Sequence, residues 1–131
     1  MAVLVDTNVI ADVLHGDPDW GQWAQQQLAQ HAGELFINPL IYAELCYRAA
    51  SIDEVNGVVK TLGLQYAELP LPALFLAARA YSAYRQRGGV KTAPLPDFFI
   101  GAHAESAGLI LLTRDKSRYT TYFPHVALIS R

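Results

Sequence analysis

The 131-residue sequence predicts an α/β protein, a three-layer α/β/α sandwich built on a mostly parallel central sheet. Three observations carry that expectation. Short apolar runs recur between longer stretches with helical spacing, and strands that alternate with helices imply parallel connections. The first of these runs, Val3-Leu4-Val5, is apolar at consecutive positions, as a buried strand is. Gly, Pro, Asn or Asp closes most of the segments. The length fits one domain, residues 1–131, with a core of useful size.

Residues 3–5 open the chain as a strand that ends on Asp6. A short helix follows over residues 7–15, with Thr7 or Asn8 as candidate N-caps and Ile10, Val13 and Leu14 on one face. Gly16-Asp17-Pro18-Asp19 breaks it, and a second helix spans about residues 20–31. Residues 34–37 form a short strand. Asn38-Pro39 then starts a helix, because Asn caps well and Pro suits the first helical position. Ser51 and Glu54 stand at capping-box spacing before Val55, Val58, Val59 and Leu62. Residues 64–69 read as a weak strand, 73–87 as an Ala-rich helix and 88–96 as an exposed loop. Asp97 opens a helix to about Ala107, residues 109–112 are the most strand-like run, and residues 126–129 form a last edge strand.

Composition excludes several classes. Hydrophobic residues make up 52% and charged residues 17%, values of a globular rather than a disordered chain. No apolar stretch is long enough to span a bilayer, and no secretion signal is visible. One cysteine, Cys46, rules out an internal disulfide and a Cys-based zinc site, and fits a reducing cytoplasm. The net charge of −2 is neutral on nucleic acid. A bound polyanion would need local basic clusters or metal ions to offset the acids.

Four carboxylates stand out. Asp6 and Asp115 follow predicted strands, Asp97 begins a helix, and Glu44 lies on a helix among Leu40, Ile41, Leu45 and Tyr47. Each has an ordinary reading: Asp6 and Asp97 as helix caps, Asp115 as a surface loop residue, Glu44 as the ion-pair partner of Arg48. Taken jointly they share a logic, since ligands of parallel α/β sheets bind beyond the carboxyl ends of the strands. Clustered carboxylates raise one another's pKa unless cations intervene. An oxygen-only set of this kind suits Mg²⁺ or Mn²⁺. Such ions activate water and neutralise charge on a phosphodiester under attack, so metal-dependent phosphodiester hydrolysis is the leading chemistry.

The ordered set Asp6-Thr7-Asn8, Glu44, Asp97-Phe98-Phe99-Ile100-Gly101-Ala102-His103-Ala104, Leu112-Thr113-Arg114-Asp115 and Tyr122-Phe123-Pro124 resembles PIN-domain ribonucleases. Within that family it is most similar to the VapC toxins of bacterial and archaeal toxin–antitoxin pairs, and the likeness runs from Val3 to Ile129. The resemblance implies that Asp6, Glu44, Asp97 and Asp115 are the catalytic, metal-holding acids. It further implies that Thr7, Asn8 and Thr113 orient ligands or water around them. The implied activity is endoribonuclease cleavage of RNA, by a homodimer restrained by a small antitoxin whose C-terminal segment covers the acidic cleft.

Arg114, Lys116 and Arg118 alternate around Asp115 and could hold RNA phosphates, with Arg79, Arg85, Arg87 and Lys91 extending the path. Tyr119 and Tyr122 are core or base-stacking residues, with packing favoured. His103 reads as structural, and Gly101 as a site of close helix packing. Trp20 and Trp23 are either ordinary packing residues or part of an apolar partner surface. Three rivals stand beside the main reading. A phosphatase of the haloacid-dehalogenase type lacks its second acid here, since Asp6-Thr7-Asn8 replaces Asp-x-Asp-x-Thr. The others are a PIN nuclease of RNA maturation without an antitoxin, and a non-catalytic RNA- or protein-binding module.

Overall fold

The computed structural model describes residues 1–90 and 95–131. Strand β1 (Val3–Val5) lies at the centre of a five-stranded sheet, with β2 (Leu35–Ile37) and β3 (Gln65–Tyr66) on one side. On the other side lie β4 (Ile110–Leu112) and β5 (Leu128–Ile129), giving the order β3-β2-β1-β4-β5. Every described pairing is parallel, with Val3 opposite both Leu35 and Ile110. Val3, Leu4, Val5, Ile37, Leu111 and Leu112 are completely buried. Helices therefore cover both faces of the sheet, and the unbroken apolar runs have this cause.

The helices follow local chemistry. α1 (Thr7–His15) has the expected bounds, and its cap is Asp6 rather than Thr7 or Asn8: the Asp6 carboxylate accepts from the Thr7 N–H, so Thr7 is already helical. Gly16 closes it in the left-handed conformation, at φ 59°. α2 (Gly21–Gln30) leads to β2. α3 (Pro39–Cys46) is capped by Asn38, whose Oδ1 accepts from the Ile41 N–H at 3.0 Å. α4 (Ile52–Thr61) begins with half of the expected capping box. Ser51 Oγ accepts from the Glu54 N–H, but the Glu54 carboxylate returns to the N–H of Ala50 instead of that of Ser51.

α5 (Leu71–Gln86) and α6 (Pro96–Ala107) begin earlier than expected, because Pro72 and Pro96 occupy first-turn positions. Asp97 is therefore inside the first turn of α6, where a negative charge meets the positive end of the helix dipole, and Leu95 holds the cap position. The first and last edge strands are shorter than expected. Unexpected altogether is α7 (Ser117–Thr120), a single turn after β4. Part of the expected 88–96 loop, including Lys91, lies outside the described residues. Among the described residues no helix is long and apolar enough to cross a membrane.

Candidate active site

Asp6 is the centre of a polar network at the carboxyl end of the sheet. It follows β1 directly, and only 3% of its surface is exposed. Its Oδ1 accepts from the Thr7 N–H at 2.8 Å. Its Oδ2 accepts from the hydroxyls of Thr113 at 2.9 Å and Tyr119 at 2.7 Å, with the Asn8 amide at 3.5 Å. Thr113, fully buried just beyond β4, also accepts from the Asp115 N–H. Its hydroxyl thus ties the ends of the two central strands together.

The other acids join this network through single side chains. The Thr7 hydroxyl donates to Glu44 Oε1 at 2.8 Å, and no Glu44–Arg48 ion pair forms. The Tyr119 hydroxyl also lies 3.4 Å from Asp97 Oδ1. Arg118 reaches Asp97 Oδ2 at 3.8 Å and Asp115 Oδ2 at 2.7 Å. Glu44, Asp6, Asp97 and Asp115 are therefore linked in that order by Thr7, Tyr119 and Arg118. Among the described residues no three acid, His or Cys side chains close on a common point as they stand. The four acids share a rim, with hydroxyls and a guanidinium between them.

Electrostatics follow from this crowding. Burial pushes the carboxyls of Asp6, Glu44 and Asp97 above their ordinary values. Glu44 is raised further by Asp6 and Asp97, and Asp97 by Asp6 and Asp115. Opposing hydrogen bonds and the Arg118 charge do not cancel these effects. The Tyr119 phenol is held far above its ordinary value by burial and then by the acids, so it is a permanent donor. A set of oxygen donors with surplus negative charge is chemically fitted to a hard divalent cation.

The family model of the PIN domain matches residues 3–124. The chain belongs to the PIN-domain family. No curated protein matches it. Solved structures similar to this PIN domain include VapBC2 from Rickettsia felis bound to a DNA fragment from its promoter, at 18% identity and TM-score 0.71, covering 99% of this chain and 98% of that one. Another is DNA-bound VapBC from Salmonella typhimurium, at 16% identity and TM-score 0.75, again with 99% and 98% coverage. A third is a toxin–antitoxin complex from Klebsiella pneumoniae, at 22% identity and TM-score 0.65, with 90% of each chain covered.

The basic residues are placed less simply than their spacing suggests. The Arg114 guanidinium is drawn away to buried Asp12, at 2.8 Å, and lies over the Trp20 ring. Its backbone N–H, rather than its charge, meets the site, donating to Asn8 Oδ1 at 3.1 Å. Lys116 is exposed beside α7. Arg79 and Arg87 lie over the rings of Phe75 and Tyr122, and Arg85 donates to the Gly89 carbonyl. Trp20 meets Trp23 edge to face, with centroids 5.4 Å apart, and also carries Arg131. His103 is buried and structural, with Nδ1 3.2 Å from the Asn38 amide. The PIN-domain site includes two features absent from the sequence reading, the α7 turn and the Tyr119 contact with the acids. An Arg-Tyr pair three residues beyond Asp115 is the only trace they leave in the sequence.

Proposed function

We propose that the protein is a Mg²⁺- or Mn²⁺-dependent endoribonuclease and the toxin of a type II toxin–antitoxin pair. The observation that carries this reading is the continuous polar chain joining four acids beyond β1 and β4. Asp6, Glu44, Asp97 and Asp115 would hold the cation. When bound, it lowers the pKa of water and offsets charge on the phosphate. Thr7 and Thr113 orient Glu44 and Asp6, and Asn8 fixes the loop after β4 through the Arg114 N–H. Lys116 and Arg118 sit where RNA phosphates would approach, and Arg114 contributes mainly by holding that loop to α1 through Asp12.

The toxin–antitoxin character of a similar solved structure supports a small antitoxin partner. A groove of about 270 Å³ beside Glu44, lined by Leu14, Leu45, Tyr47, Val55 and Val58 among others, would take an apolar segment of it. Exposed Leu71, Leu74 and Phe75 on α5 give a homodimer a surface. The cytoplasm, where RNA is met, is the location that fits.

Purified protein should cleave RNA with Mn²⁺ or Mg²⁺. EDTA, Asp6→Asn and Asp97→Asn should each abolish cleavage. Cleavage that persists in EDTA or in either variant ends the reading. Growth arrest on expression, relieved by the neighbouring upstream reading frame, supports the antitoxin. Cleavage without arrest assigns the chain to RNA maturation instead.

A further inference from the structure

We infer that Tyr119 is a positioning residue for the acid cluster, its hydroxyl fixing Asp6 against Asp97; this rests on the metal-dependent reading above. Tyr119 is fully buried. Phenylalanine would fill the same space without the cost of desolvating a hydroxyl, so packing alone does not call for tyrosine. The hydroxyl meets two carboxylates on different elements, at 2.7 Å on Asp6 and 3.4 Å on Asp97. With Thr113 it occupies Oδ2 of Asp6, while among the described residues Oδ1 receives the Thr7 N–H alone. Asp6 is thus locked in one rotamer, with its less engaged oxygen left for another ligand.

Arg118, one residue earlier, bridges Asp97 and Asp115. The single turn α7 therefore touches three of the four acids and sets their spacing. Groups that hydrogen-bond to metal ligands typically change affinity by about 10- to 100-fold when removed.

The test is Mn²⁺ binding, followed by electron paramagnetic resonance, in the wild type and in Tyr119→Phe. The variant should bind about tenfold or more weakly. The Mn²⁺ concentration for half-maximal cleavage should rise in step, with a smaller change in rate at saturating metal. Tyr42→Phe, which removes a hydroxyl bonded to Asn56 instead, should bind as the wild type does. Equal affinity in folded Tyr119→Phe overturns the role while leaving the nuclease reading intact. A wild type that binds no Mn²⁺ overturns both. Should the variant fail to fold, the ¹³Cζ resonance of Tyr119 in the wild type decides. It should shift on adding Mg²⁺, and indifference to Mg²⁺ overturns the role.

Discussion

Asp6 concentrates the conflict between stability and chemistry at one residue. Its carboxyl is buried and its pKa lies above the ordinary 3.8. Between that value and the raised one, the native chain binds more protons than the unfolded chain, so this group's contribution to stability falls as pH rises. Asparagine in its place would carry no buried charge. Its Oδ1 would accept from the Thr7 N–H, and the Thr113 and Tyr119 hydroxyls would turn to accept from its amide. In EDTA, Asp6→Asn should therefore melt above the wild type at pH 7.5, with the gap closing as the pH falls towards 4. Calorimetry across that range checks it, and a wild type that melts higher throughout contradicts it. Asp6, Asp97 and Asp115 were legible in the sequence because they follow strands or begin a helix, positions that topology brings together, and Glu44 because it is a carboxylate among apolar residues of a helix. Tyr119 was not, because its partner Asp6 lies 113 residues away and an isolated tyrosine reads as packing.

Elements that carry site residues depend on contacts outside the site. α3 presents Glu44, and Asn38 both caps it and meets His103. Burial lowers the His103 pKa, keeping the ring neutral with Nδ1 able to accept from the Asn38 amide. Asn38→Ala removes the cap and strands that nitrogen, so a loss of about 1–3 kcal/mol is expected in urea unfolding. α6, which carries Asp97, packs closely at Gly101, where an added Cβ would fall 2.3 Å from the Phe123 ring. Gly101→Ala should lose about 1–3 kcal/mol despite alanine's better helix propensity, and Phe123→Leu should restore part of it. Unfolding midpoints of the two single variants and the double variant measure this. Helix starts at Asn38 and Ser51 were readable from capping chemistry alone. The bounds of α1 were readable too, and of the cap candidates Asp6, Thr7 and Asn8 it is Asp6 that caps it. α7 was missed because one turn of Ser-Arg-Tyr-Thr has no periodicity to detect.

Across the whole molecule, the strand order explains the location of the site. After β1 the chain builds outward through β2 and β3, then crosses to the far side of β1 for β4 and β5. The crevice of a parallel sheet opens where the order reverses, and Asp6 and Thr113 follow the two strands that flank that point. The three-layer class was legible from the alternation of elements. The order was not, since apolar runs of similar length do not name their neighbours. The same order has a consequence during translation. Thr113 and Tyr119 leave the ribosome 107 and 113 residues after Asp6, a delay of roughly 5–20 s at ordinary elongation rates. A nascent polypeptide thus displays Asp6 on a strand that can pair with β2 but still lacks β4 and both hydroxyls. Messages broken ahead of the codon for Thr113 should yield only inert fragments, leaving the cell to contend with finished copies alone.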